Sequence, residues 1–288
     1  MLELLTQSFK NWFSDDPFTN SAAAAYYAIF SFPGLIIIIM SIAALAFDSQ
    51  QVQSLVSGQL SQILGKDTAN SLFKIVEETQ REDRDKWALI AGMLTLSFGA
   101  TGLFANLQRS LNNIFQVEVK KSAGILIFLR TRLISFGIVL ILGLLLLVSL
   151  SLTALITLFS DWITMQFSTS FTLLIAVITL ITSLSIVTSL FTLIYKILPD
   201  ADIKWRSALM GGVLATILFE IGESTLNFYF GIAKPESTFG AAGSLVLLML
   251  WVSYSCMILF IGAEFCKTYE LSKYNRKIIP NKIAENTE

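Results

Sequence analysis

Residues 133–159, LISFGIVLILGLLLLVSLSLTALITLF, run for 27 positions without one charged side chain. A helix needs about 20 apolar residues to cross a hydrocarbon core roughly 30 Å thick, so this stretch can span a bilayer with some tilt. Arg130 and Arg132 stand just before it, where a basic flank marks the membrane edge. Five more apolar stretches of similar length lie at 22–47, 87–107, 171–195, 206–230 and 241–265. The fold expected is therefore all-α, a polytopic transmembrane helical bundle with six spans.

The composition points the same way. Of the 288 residues, 54% are apolar and 14% charged, against about 25% charged in an ordinary soluble domain. A net charge of −1 supplies no basic field for nucleic acid. The first twenty residues carry no basic start, no continuous apolar core and no small-residue cleavage site, so no removable secretory signal is expected there. Leu2, Leu5, Phe9, Trp12 and Phe13 instead fall near helical spacing, which predicts an interfacial amphipathic helix over 1–15. Asp16 and Pro17 read as a cap and first-turn proline for the first span, and Pro33 with Gly34 should kink it. That kink is either a packing feature or a hinge.

Between spans one and two, residues 48–86 are patterned but polar. Val52, Leu55, Val56, Leu60, Ile63 and Leu64 recur at helical spacing, and Leu72, Phe73, Ile75 and Val76 form a second stripe. These predict two amphipathic helices on the outer face, broken near Gly65. Residues 1–270 then form one membrane domain and 271–288 a cytoplasmic polar tail.

Basic residues fix the orientation, because Lys and Arg are retained on the cytoplasmic side. With both termini inside, the cytoplasmic segments hold fourteen of the 20 basic residues, Arg109, Lys120, Lys121, Arg130 and Arg132 among them. The outer side holds Lys234 and five in 48–86, where six carboxylates accompany them from Asp67 to Asp85. The basic loops thus have a topological explanation, and no nucleic-acid partner is expected.

Ionisable groups within spans mark candidate function, since they cost a few kcal/mol on insertion scales (roughly 2.5–3.5) and usually face protein or a wet cavity. Glu220, Glu223 and Asn227 lie three and four residues apart on one face of the fifth span. Asn106, Arg109 and Asn113 repeat that spacing at the end of the second. The functional reading is an ion, proton or polar head-group path; the alternative is a hydrogen-bond network between helices. Arg109 is placed to meet an anionic lipid head group or Glu264, which is expected at the accessible end of span six. Glycines at 211, 212, 222, 231, 240 and 243 are first a close-packing signal.

Histidine is absent, which removes Ser-His-Asp triads, Cys-His dyads and His-rich zinc sites. Cys256 and Cys266, ten residues apart, have neither a zinc nor a disulfide spacing and read as packing residues. No phosphate loop or dinucleotide fingerprint occurs. No catalytic residue, metal or cofactor is expected, and the chain does not read as an enzyme.

Four stretches resemble the YihY/virulence factor BrkB family of UPF0761-type inner-membrane proteins. They are SAAAAYYAIFSFPGLI (21–36), FGATGLFANLQRSLNNIF (98–115), ILPDADIKWRSALMGGVLATILFE (197–220) and FGAAGSLVLLMLWVSYSCMILFIGAEF (239–265). The resemblance implies a six-helix bacterial inner-membrane protein. It also brings the family's former ribonuclease label, for which these residues offer no nuclease site, and an association with serum resistance and envelope properties. The function expected is transporter-like or lipid- and envelope-handling, with membrane lipids as partners. The alternative is a non-transporting scaffold that docks a periplasmic envelope protein through 48–86.

Overall fold

The computed structural model describes residues 2–43, 86–119, 170–233, 243–274, 278–280 and 284–286, with isolated helical positions between 53 and 70. The expected third span, 133–159, lies outside the described residues, as does nearly all of 48–86.

Helix α1, Leu2–Ser14, ends in a tight turn at Asp15 and Asp16. Asp16 has φ 49°, a left-handed conformation that Asp tolerates better than most residues. Helix α2, Pro17–Ala43, then starts on its proline, whose fixed φ and missing N–H suit a first helical position. Helix α3, Lys86–Phe115, stops at Gln116, φ 56°, and leads into β1, Val117–Val119. Helix α4, Ser170–Ile197, and helix α5, Trp205–Ala233, flank the short strand β2, Ala201–Asp202. Helix α6, Gly243–Tyr274, is followed by β3, Ile279–Pro280, and β4, Ala284–Asn286.

Three of these helices, α4, α5 and α6, contain stretches long and apolar enough to cross a membrane: Leu180–Ile197, Trp205–Leu226 and Leu245–Tyr274. The outward faces of α4 and α5 match that solvent, with Ile178, Leu180, Ile181, Ile217, Ile221 and Phe228 all exposed. In water, so large an apolar surface would drive association.

Packing is organised around α6. Helices α2 and α3 form one pair, α4 and α5 another, and each pair leans on α6 far more than on the other pair. Glycines permit the close approaches. A Cβ at Gly211 would sit 2.7 Å from the carbonyl oxygen of Gly262 and 2.8 Å from Cβ of Cys266. At Gly222 it would collide with the Tyr254 hydroxyl, and at Gly102 with the Tyr27 ring. Hydroxyls tie the same seams: Tyr195 donates to the carbonyl of Leu259 at 2.9 Å, and Thr188 meets Thr216 at 3.0 Å. Cys256 and Cys266 are buried in this core, as packing residues should be.

Helix α6 runs nine residues past position 265, where its apolar sequence pattern ends. The extra turns persist because Lys267 and Glu270 are buried by packing, which hydropathy does not register. The tail beyond α6 also acquires partners. Ala201 and Asp202 pair antiparallel with Pro280 and Ile279, and β1 pairs antiparallel with β4. The tail thereby joins the end of α3 to the α4–α5 connection.

Gly211→Ala and Gly222→Ala should each destabilise the bundle by about 1–3 kcal/mol, the usual cost of overpacking. The exposed change Ser224→Ala should stay within about 0.5 kcal/mol. Thermal melts in lipid-supplemented detergent check this; equal melting temperatures for all three would contradict the α5–α6 contact.

Candidate functional site

On α5, Glu220 and Glu223 are half-buried on the same face. Asn227 continues that face along the helix; its side chain lies outside the described residues. Gly222, on a different side of α5, admits the Tyr254 ring from α6, and the Tyr254 hydroxyl donates to the carbonyl of Leu218 at 3.1 Å. Ser224 and Thr225 turn their hydroxyls back onto the carbonyls of Glu220 and Ile221, at 3.0 and 2.8 Å. The ionisable character of this face therefore resides in the two glutamates.

On α3, Asn106 Nδ2 donates to the carbonyl of Asn20 at 3.1 Å, and Asn20 Nδ2 donates to the carbonyl of Asp15 at 2.9 Å. Arg109 and Asn113 are exposed. Their neighbours Gln108 and Asn112 face the protein instead. Both donate to Asp200 Oδ2, at 3.0 and 2.9 Å, and the Asp200 backbone N–H returns a bond to Asn112 Oδ1 at 2.8 Å. This clasp fastens the end of α3 to the α4–α5 connection. Helix α2 continues through Pro33 and Gly34.

Helices α2 and α5 contact adjacent residues of α6. Ser253 Oγ donates to Ser21 Oγ at 3.2 Å, one residue from the Asn20 carbonyl that holds Asn106. Tyr254 is the residue seated at Gly222 of α5. Successive helical residues point about 100° apart. Ser21 of α2 and Gly222 of α5 therefore meet the same level of α6 on different sides, while Glu220 and Glu223 lie about 160° and 100° round α5 from that contact.

Farther along α6 lies a second polar layer that spacing alone did not single out. Glu264, expected at an accessible helix end, has no exposed surface, and its Oε1 accepts from Lys267 Nζ at 3.2 Å. Lys267, rather than Arg109, is thus its basic partner. Ser207 donates to Glu270 Oε2, and both of these side chains are fully buried. Lys196 joins Asp202 at 3.3 Å and donates to the carbonyl of Ile203. Among the described residues, no group of three or more His, Cys, Asp or Glu side chains is arranged to hold a metal.

Residues 8–285 match the family described as virulence factor BrkB. The chain belongs to that family. Curated members similar to this BrkB-family chain are named UPF0761 membrane protein. One from Haemophilus influenzae is 27% identical over 90% of this chain and 92% of its own length. Another from Alcanivorax borkumensis is 23% identical over 68% of this chain and 44% of its own, and one from Tolumonas auensis is 35% identical over 30% and 29%. The matched region thus spans less than half of those last two relatives. No solved structure matches the chain.

The clasp separates two neighbouring asparagines. Asn112→Ala breaks two buried hydrogen bonds to Asp200 and should cost about 1–3 kcal/mol. Asn113→Ala, on the exposed face, should cost no more than about 0.5 kcal/mol. Denaturation of the two variants in matched detergent distinguishes them, and equal losses would contradict the geometry.

Proposed function

We propose that this BrkB-family chain is a six-span bacterial inner-membrane protein, with both termini cytoplasmic, that handles lipids or other amphiphiles of the envelope. Polar head groups would pass along the Glu220–Glu223 face of α5. The observation that carries this reading is the pair of half-buried carboxylates, Glu220 and Glu223, on one face of α5 within the membrane-spanning stretch Trp205–Leu226. A carboxylate near the bilayer centre costs roughly 2.5–3.5 kcal/mol on insertion scales, and two on one face are retained most economically where polar ligands or water meet them. Arg109, exposed at the end of the α3 face, supplies a planar cation suited to an anionic head group.

The reading assigns no catalytic residue, cofactor or nucleic-acid partner. Handling of this kind needs binding and passage rather than bond cleavage, and the residues flanking α6 are suited to hydrogen bonding and charge recognition.

Proteoliposomes carrying head-group-labelled phospholipid test it. The wild type should accelerate exchange between leaflets. The double variant Glu220→Gln with Glu223→Gln should slow that exchange at least about tenfold, equivalent to about 1.4 kcal/mol in the barrier, with its melting temperature unchanged. An inert wild type, or a double variant as fast as the wild type, would refute the proposal.

A further inference from the structure

We propose that the tail after α6 is a reversible latch that fixes how the α2–α3 pair stands against the α4–α5 pair. The device does not depend on lipid handling. Each pair is seated on α6, and along their lengths the described parts of the two pairs scarcely touch each other. Two packed units mounted on one helix can rock about it unless something joins them. The joints observed between them lie at one end of the bundle, where α3 stops and α4 turns into α5.

Two kinds of joint meet there. One is made by side chains, through the bonds of Gln108 and Asn112 to Asp200. The other is the tail, which pairs by its backbone with both units. Strand β3 runs antiparallel to β2, with Ala201 opposite Pro280 and Asp202 opposite Ile279, and so grips the α4–α5 connection. Strand β4 runs antiparallel to β1, with Val117 opposite Asn286 and Val119 opposite Ala284, and so grips the continuation of α3. Lys204 Nζ lies 3.3 Å from the centre of the Tyr274 ring, which holds the end of α6 beside the start of α5 and delivers the tail to this place. Ile278, just before β3, is buried in the main hydrophobic cluster together with Ala201 and Ile203.

Three features make this attachment a latch rather than a permanent frame. The β2–β3 ladder joins strands of two residues and the β1–β4 ladder strands of three, too short to persist by themselves. Pro280 has no N–H to give to its ladder. Ile278 is the described apolar anchor of the tail, so attachment depends on one side chain. The seams that build each unit lie elsewhere: Tyr27 fills the space at Gly102 within α2–α3, and Thr192 fills that at Gly212 within α4–α5. Release of the tail therefore leaves both units folded and seated on α6, with the Asp200 bonds as the joint that remains among the described residues. The end of α3 then gains freedom to swing away from the α4–α5 connection.

Spin labels at Asn113→Cys on α3 and Arg206→Cys on α5 report the separation of the units, and labels at Ser189→Cys on α4 and Leu209→Cys on α5 serve as a control within one unit. All four positions are exposed, and the two native cysteines are buried. In lipid nanodiscs the otherwise wild-type chain should hold one narrow distance for each label pair. Ile278→Asp, which cannot keep its side chain in the apolar cluster, should lengthen and broaden the distance between the labels at 113 and 206 and leave the control distance as it was. Ile278→Ala, which only shortens the anchor, should give a mixture of the latched and released distances. The backbone amides of Ala201 and Asp202 should exchange with solvent at least about tenfold faster in Ile278→Asp. A 113–206 distance unmoved by both variants would overturn the proposal, and so would a control distance that broadens in step with it in Ile278→Ala.

Discussion

The bundle depends on how closely α5 and α6 approach. Gly211 faces Gly262 with no room for a methyl group between them, and Gly222 leaves the space that Tyr254 fills. In lipid, apolar side chains gain little by leaving one hydrocarbon for another, so helix association relies on intimate packing and on hydrogen bonds between backbones and small side chains. Once α5 is seated on α6, the Tyr195 and Tyr254 hydroxyls reach carbonyls across the seams, and α4 follows through Thr188 and Thr216. The α2–α3 pair repeats the device, with Gly102 beneath Tyr27, and attaches to the opposite side of α6.

Polar residues are arranged under the same constraint. A helix in hydrocarbon cannot leave donors unsatisfied, and six serines and threonines among the described residues of α4 and α5 bond their own preceding turn. The exceptions lie where elements must be joined. Asp200 gathers Gln108 and Asn112, Ser207 binds Glu270, and Asn106 reaches Asn20. Glu220 and Glu223 differ from these in being half-buried ionisable groups within a span rather than members of a clasp. This difference is the reason for assigning them to passage rather than to assembly.

The sequence was informative where a single physical signal dominates. Long apolar stretches anticipate α2, α4, α5 and α6 to within a few residues at most of their ends, because hydrocarbon thickness sets both the length and the composition of a span. Pro17 correctly marks the start of α2. The site was harder to read. Asn112 and Asn113 are chemically identical neighbours, and only the fold decides that Asn112 meets Asp200 while Asn113 faces outward. Glu264 looked accessible because it follows the last apolar run, yet α1 folds over that end of α6. The clue lay in the i,i+3 spacing of Glu264 and Lys267, which favours a pair on one face, but helical spacing alone cannot identify the element that buries it. The tail strands were missed because pairs of two or three residues leave almost no periodicity to read.

If the Glu220–Glu223 face of α5 meets polar ligands or water inside the membrane, a high-resolution density map of the protein in a lipid nanodisc should show non-protein density, from head groups or ordered water, within hydrogen-bonding distance of Glu220 and Glu223. A dry contact there, with both glutamates bonded to side chains of the protein itself, would contradict it.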